Sequence, residues 1–353
     1  MKNLFQLFTL IALLLFLGAC SATNRLTMGV TEPARIPLDS DITKIGIINR
    51  SIPSEGNKVV DEIDKILSLE GKNLDKEGAE AAIRGLADEL TRGERFDKVE
   101  IITAIDSQRK GLGVFPAALP WDTVEQICKE YDVDILFSLE FYDTDTAADY
   151  ELSMVTIPNN LGIDAKVPGH KVQLNTVIKN GWRVYDPVGS ALLDEYVSKN
   201  YLTSRGAGIN PVKAIKAVIG RKEGVQEISS NLGNQYGLQT KPLRRRVARD
   251  YFVRGTDNFS IARRRAQTGD WNGAADLWER EINHPKMKVA GRAYYNMAII
   301  NEINGNLEKA IEWASKAYSD YGNNMALGYV NILKRRVVDQ RQLNNQLSSL
   351  NFD

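Results

Sequence analysis

The period of the apolar positions changes along the chain. Leu7 to Leu17 is almost wholly apolar, broken only by Thr9. Lys44 to Asn49 (KIGIIN), Lys98 to Thr103 (KVEIIT) and Asp134 to Tyr142 are short apolar runs, the pattern of buried strands. Val59 to Ser68 and Asp75 to Arg92 read as helices. In the second, Ala79, Ala82, Ile83, Leu86 and Leu90 form one stripe at helical spacing. Val124, Ile127, Cys128 and Tyr131 fall at i, i+3, i+4 and i+7, so Thr123 to Asp132 is another helix, opened by Pro120 and Asp122. The resulting β-α-β-α-β order predicts an α/β layer.

Further on, Val172, Leu174, Thr176, Ile178, Trp182 and Val184 share one parity across Lys171 to Asp186. Asn180-Gly181 is a pair that favours a hairpin turn, but the parity carries through it. One strand with a bulge or bend at Gly181 is therefore expected. Asp186-Pro187-Val188-Gly189 fits a type I turn, and Ala191 to Val197 reads as the returning strand. Pro211 to Gln235 reads as helical. From about Arg244 onward the strand signals vanish. Near the start, Leu26, Met28 and Val30 alternate, as in a short edge strand.

The C-terminal part repeats. Gly269-Asp270-Trp271-Asn272-Gly273-Ala274-Ala275 is echoed 36 residues later by Gly305-Asn306-Leu307-Glu308-Lys309-Ala310-Ile311. The same offset pairs Ala262 with Ala298 and Trp278 with Ala314. This resembles the tetratricopeptide repeat, a helix-turn-helix unit of about 34 residues. Ala262, Ala274, Ala298 and Ala310 would be the small inward residues that let helices approach. Gly269 and Gly305 would sit in the turns. Asn296 and Asn301 would face a concave surface that binds a partner peptide.

The start of the chain gives an address. Lys2, the apolar run and the small pair Gly18-Ala19 make a secretory signal over residues 1–19. Leu17-Gly18-Ala19-Cys20 places a cysteine where a bacterial lipobox needs its thiol, so Cys20 is the expected lipidation site and membrane anchor. No Asp follows Cys20 and no acidic run follows it, which points to the outer membrane facing the periplasm. The organisation expected is therefore a signal (1–19), a tether (20–42), a domain of α/β or α+β type with a mixed sheet and flanking helices (43–240), and an all-α repeat domain (241–353). Within the last, repeats span about 255–290 and 291–324 and a capping helix spans 325–348.

The lipobox, the segment Pro33-Ala34-x-Ile36, the α/β middle and the paired repeats together resemble an uncharacterised family of Bacteroidota outer-membrane lipoproteins. Asp257-Asn258-Phe259, Gly269-Asp270-Trp271 and Gly305-Asn306-Leu307 carry the most specific part of that resemblance. In strand-helix order, the middle domain is also similar to periplasmic domains of envelope assembly lipoproteins such as the curli secretion lipoprotein. The resemblance implies no catalytic residues.

Composition adds little. The 353 residues hold 45 basic and 45 acidic side chains, which gives no global pull toward nucleic acid. Only two cysteines occur. With Cys20 an anchor, Cys128 is left without a disulfide partner and reads as a buried, inert thiol. Gly111-Leu112-Gly113 and Gly206-Ala207-Gly208 lack the context of a dinucleotide site. His170 and His284 share no metal-ligand spacing, and no cofactor or metal is expected. Asp143, Asp145, Asp149 and Glu151 read as a solvated loop. Arg244 to Arg246 and Arg263 to Arg265 form a basic stretch, read as solvated helix faces or as a patch facing anionic lipid, lipopolysaccharide phosphates or an acidic partner, with Arg263 and Arg264 as partner-binding candidates. The expectation is a lipid-anchored, non-enzymatic interaction or assembly scaffold for an envelope protein. The alternative is a ligand- or glycan-binding lipoprotein that works through its α/β domain.

Overall fold

The computed structural model describes residues 22–51, 62–93, 95–103, 115–158 and 164–350. The signal segment, Cys20 and Gly111-Leu112-Gly113 lie outside the described residues. In chain order the strands are β1 (Thr23–Glu32), β2 (Lys44–Asn49), β3 (Lys98–Ile102), β4 (Ile135–Pro158), β5 (Asp164–Asp186), β6 (Ala191–Gly208) and β7 (Leu243–Phe252). The helices of the first half are α1 (Glu62–Thr91), α2 (Trp121–Tyr131), α3 (Pro211–Lys216) and α4 (Arg221–Gly237). The C-terminal run is α5 (Asp257–Gln267), α6 (Trp271–Glu279), α7 (Met287–Ile303), α8 (Leu307–Ser319) and α9 (Asn324–Leu350). The fold is mixed α+β, with a mixed sheet first and a run of helices after it. Two compact units result, one of Ala34–Lys241 and one of Met1–Pro33 with Pro242–Asp353.

In the Ala34–Lys241 unit the sheet order is β3-β2-β4-β5-β6. β2 is parallel to both β3 and β4, and β4-β5-β6 continue as an antiparallel meander. One face carries Ile45, Ile47, Ile135, Phe137, Leu139, Trp182 and Val184, packed against Leu74 to Leu90 of α1 and Leu232 and Tyr236 of α4. The opposite face carries Ile48, Ile102, Leu136 and Tyr185 against Val124, Ile127 and Cys128 of α2. Burial pushes the Cys128 thiol up to about 11, so it stays protonated and inert.

β5 is one strand through Asn180-Gly181, and its even-numbered residues from Val172 to Val184 are buried. The bulge lies on the partner strand instead. Leu139 pairs with Trp182 and Phe141 with Gly181, which leaves Glu140 as the extra residue of β4. A bulge turns two successive side chains toward the same face. Phe141 then lies over Gly181, where a Cβ would overlap its ring. The glycine is there to admit Phe141, not to turn the chain.

Two expectations are corrected. Asp143, Asp145, Asp149 and Glu151 stand on β4, not in a loop, because β4 runs on to Pro158 alongside β5. Arg244 to Arg246 stand on a strand, not on a helix. β7 pairs antiparallel with β1 along its whole length, from Thr23↔Phe252 to Glu32↔Leu243. The sequence of β7 (LRRRVARDYF) is so charged that its period does not show, and its partner lies at the far end of the chain.

Residues of β1 and β7 join the helical core of their unit. Leu26, Tyr251 and Phe252 cluster with Phe259, Trp278, Tyr295, Ile299 and Leu333. Ala262, Ala274, Ala298 and Ala310 are fully buried where helices meet. Gly269 (φ 86°) and Gly305 (φ 78°) close the turns after α5 and α7 in the left-handed region, which is cheap only for glycine.

Replacing Gly181 with Ala is expected to destabilise the chain by about 1–3 kcal/mol through overpacking against Phe141. The shift of the urea midpoint at constant slope is the measurement.

Candidate functional site

In the Ala34–Lys241 unit the chemistry gathers where the connections of the parallel strands diverge. From β2 the chain passes through α1 to β3 on one side, then through α2 to β4 on the other. Open α/β sheets form their crevice at the carboxyl ends of strands at such a point. Arg50 directly follows β2 there and is only 2% exposed. Its Nη1 donates to both oxygens of Glu140, at 2.8 and 2.6 Å. The Tyr185 hydroxyl donates to Glu140 Oε1 at 2.7 Å and accepts from the Leu119 N–H at 3.1 Å. Arg183 lies 3.8 Å from Glu140, pairs with Glu195 at 2.6 Å and donates to the Pro116 carbonyl at 2.7 Å. Its guanidinium stacks over Phe115.

The charges of this cluster face one another, although the buried Arg50 Nε has no hydrogen-bond partner among the described residues. Two guanidiniums face Glu140 and Glu195, so the cations are spent on internal anions. Burial, then the Glu140 bond, raise the Tyr185 phenol, which remains a donor. The arrangement straps residues 116–119 over the carboxyl end of the sheet. None of these residues stands out by sequence pattern. The available signal was Glu140 inside the apolar run of β4, since a buried charge demands a partner.

Farther along the same sheet is a groove of ≈ 850 Å³ lined by Asp149, Tyr150, Glu151, Lys171, Gln173 and Arg205, among others. Asp149 accepts from Asn175 at 2.9 Å, and Arg205 Nε donates to Gln173 at 3.0 Å. His170 belongs to β5, and His284 lies in the other unit between α6 and α7. Among the described residues no group of three or more His, Cys, Asp or Glu could hold a metal.

The helical unit uses its polar groups differently. Asn296 of α7 is fully buried. It accepts from the Phe252 N–H at 2.8 Å and donates to the Phe252 carbonyl at 2.7 Å. Asn301 is buried and donates to the Met297 carbonyl at 2.8 Å. The expectation that both line an open partner surface is corrected: β7 of the same chain lies against α7 and takes Asn296. Arg263 and Arg264, on α5, are exposed.

Glu302 completes the hold on β7. Arg249 of β7 meets its two oxygens at 2.8 Å each, Tyr329 donates at 2.7 Å and Arg336 at 2.8 Å. Burial alone would raise the Glu302 carboxyl. Hydrogen bonds from Arg249, Tyr329 and Arg336 outweigh it and hold the group below the ordinary carboxylate range. A carboxyl depressed on folding stabilises the native state above its unfolded pKa, and that contribution is lost as pH falls through the folded value. Wild-type stability is therefore expected to drop on acidification below about pH 4.3, the ordinary Glu value. Glu302→Gln should flatten that drop. At pH 7 it should lose about 3–5 kcal/mol, because Arg249 is left buried without its anion. Urea denaturation of both chains at pH 3 to 7 reads both effects.

No curated protein sequence matches the chain. Among solved structures it is similar to the PelC dodecamer from Paraburkholderia phytofirmans, with 12% identity, 62% of this chain and 96% of that chain covered, and a TM-score of 0.25. It is also similar to a neuraminyllactose-binding hemagglutinin homolog from Helicobacter pylori, with 12% identity, 56% and 84% covered, and a TM-score of 0.25. Scores that low carry no functional argument. Residues 260–335 match the model of a second domain of unknown function, DUF6340. Residues 42–252 match the model of the domain of unknown function DUF8603, and the chain belongs to that family.

Proposed function

We propose that this chain is a lipid-anchored envelope protein, held by Cys20 to the outer membrane facing the periplasm, whose helical unit recruits or organises another envelope protein without catalysis. Its helices are two tandem tetratricopeptide-like repeats capped by α9. The observation that carries this reading is the correspondence of the two helix hairpins. Gly269 and Gly305 take the same left-handed turn 36 residues apart, with Ala262/Ala298 and Ala274/Ala310 buried at matching places. Repeat stacks of this kind present side chains for partner recognition. Because β7 takes Asn296, the partner surface is assigned to exposed positions such as Arg263 and Arg264.

Photo-crosslinking from position 264 in cells, followed by mass spectrometry, should capture a discrete envelope protein. A chain that crosslinks to nothing under any growth condition would defeat the proposal. Cys20→Ser should move the protein from the membrane to the soluble fraction with its melting temperature unchanged. Membrane retention of that variant would remove the anchor from the reading.

A second reading is favoured by the groove of ≈ 850 Å³ beside Tyr150, where an aromatic ring stands with Asp149, Glu151 and Arg205, groups suited to a glycan. Under it, Tyr150→Ala should abolish a glycan-array signal given by the wild type. An array on which the wild type binds nothing disposes of it.

A further inference from the structure

The helical unit holds a cavity of ≈ 330 Å³ beside the start of α7, the α8–α9 junction and the last residue of β7. Its walls include Phe252, Lys288, Arg292, Tyr321 and Asn323. That volume is at the small end of the roughly 300–1,000 Å³ usual for ligand clefts. Arg292 is fixed in place before any ligand arrives. Its Nη1 donates to the Arg254 carbonyl at 2.6 Å, and its guanidinium stacks over the Phe252 ring at 5.1 Å.

Several arginines of the unit are paired with carboxylates. Arg249 and Arg336 share Glu302. Arg25 has Asp250, and Arg245 has Glu32. Among the described residues no carboxylate forms an ion pair with Arg254, Lys288 or Arg292. Burial, then the neighbouring charge of Arg254, push the Arg292 guanidinium down from its ordinary value. A half-buried cation beside a second cation gains from an incoming anion, and a guanidinium edge pairs with a carboxylate through two parallel bonds.

At the cavity wall, Asn296 holds both backbone groups of Phe252, which fixes that wall in place. Aromatic walls at Phe252 and Tyr321 can receive side-chain methylenes.

We propose that this cavity binds a carboxylate from an acidic segment of a protein partner, with Arg292 and Lys288 supplying the charge. The proposal rests on the reading that the helical unit receives a protein, and it names the chemistry of what is received.

The test uses the full chain and a fluorescein-labelled hexaglutamate peptide, read by anisotropy at low salt. Arg292→Gln and Lys288→Gln should each weaken binding roughly tenfold, while Arg335→Gln, an exposed cation on α9, should leave it unchanged. Circular dichroism melts establish that the variants fold. Lys288 is exposed, so Lys288→Gln decides the matter if Arg292→Gln does not fold. Equal loss in Arg335→Gln would overturn the site in favour of a diffuse basic surface. Arg292-dependent binding of inorganic phosphate or of phosphatidylglycerol vesicles, with none of the peptide, would overturn the acidic-protein reading. In cells, a partner still crosslinked from position 264 in Arg292→Gln defeats this pocket and leaves the scaffold reading standing. Loss of all crosslinking in the wild type defeats the scaffold reading itself.

Discussion

The ladder between β1 and β7 decides how this chain is organised. Its strands come from opposite ends of the molecule, and Asn24 meets the Tyr251 hydroxyl across 227 residues of sequence. Closing so long a loop adds little over closing a shorter one, since the entropy grows only as the logarithm of length. The ladder can therefore take the whole Ala34–Lys241 unit as an insertion. A two-stranded ribbon is marginal by itself, and here the helices supply what it lacks. Asn296 holds the Phe252 peptide, Glu302 neutralises Arg249, and Tyr251 packs edge-on to Trp271.

Both units follow one rule for buried charge. Glu140 lies among Arg50, Arg183 and Tyr185, and Glu302 among Arg249, Arg336 and Tyr329. Each carboxylate joins elements far apart in sequence. Such clusters add little to net stability, but breaking one is expensive. They read as struts rather than as reactive groups, because their charges face one another. Arg292 is half-buried and forms no ion pair among the described residues, so it is no such strut.

Much of the fold could be read from the period of the apolar residues. β2, β3 and α2, the continuity of β5 and the two glycine turns all have local causes: alternation, helical spacing or the φ > 0 tolerance of glycine. The bulge was expected at Gly181 and lies opposite it, at Glu140, because one strand's sequence does not say which partner carries the extra residue. The site was harder. Asn296 and Asn301 sit at their expected places on α7, yet their partners are β7 and the backbone of α7 itself.

Local sequence was sufficient for most of the elements and for the matched alanines and glycines of the helical run. Tertiary contact alone settled that residues 23–32 belong with β7, that Arg244 to Arg246 lie on a strand, and that Arg50 and Glu140 meet. Periodicity reports which side of an element faces an apolar neighbour. It carries no information about which distant segment provides that neighbour, nor about which buried charges meet across the fold, as Arg50 and Glu140 do.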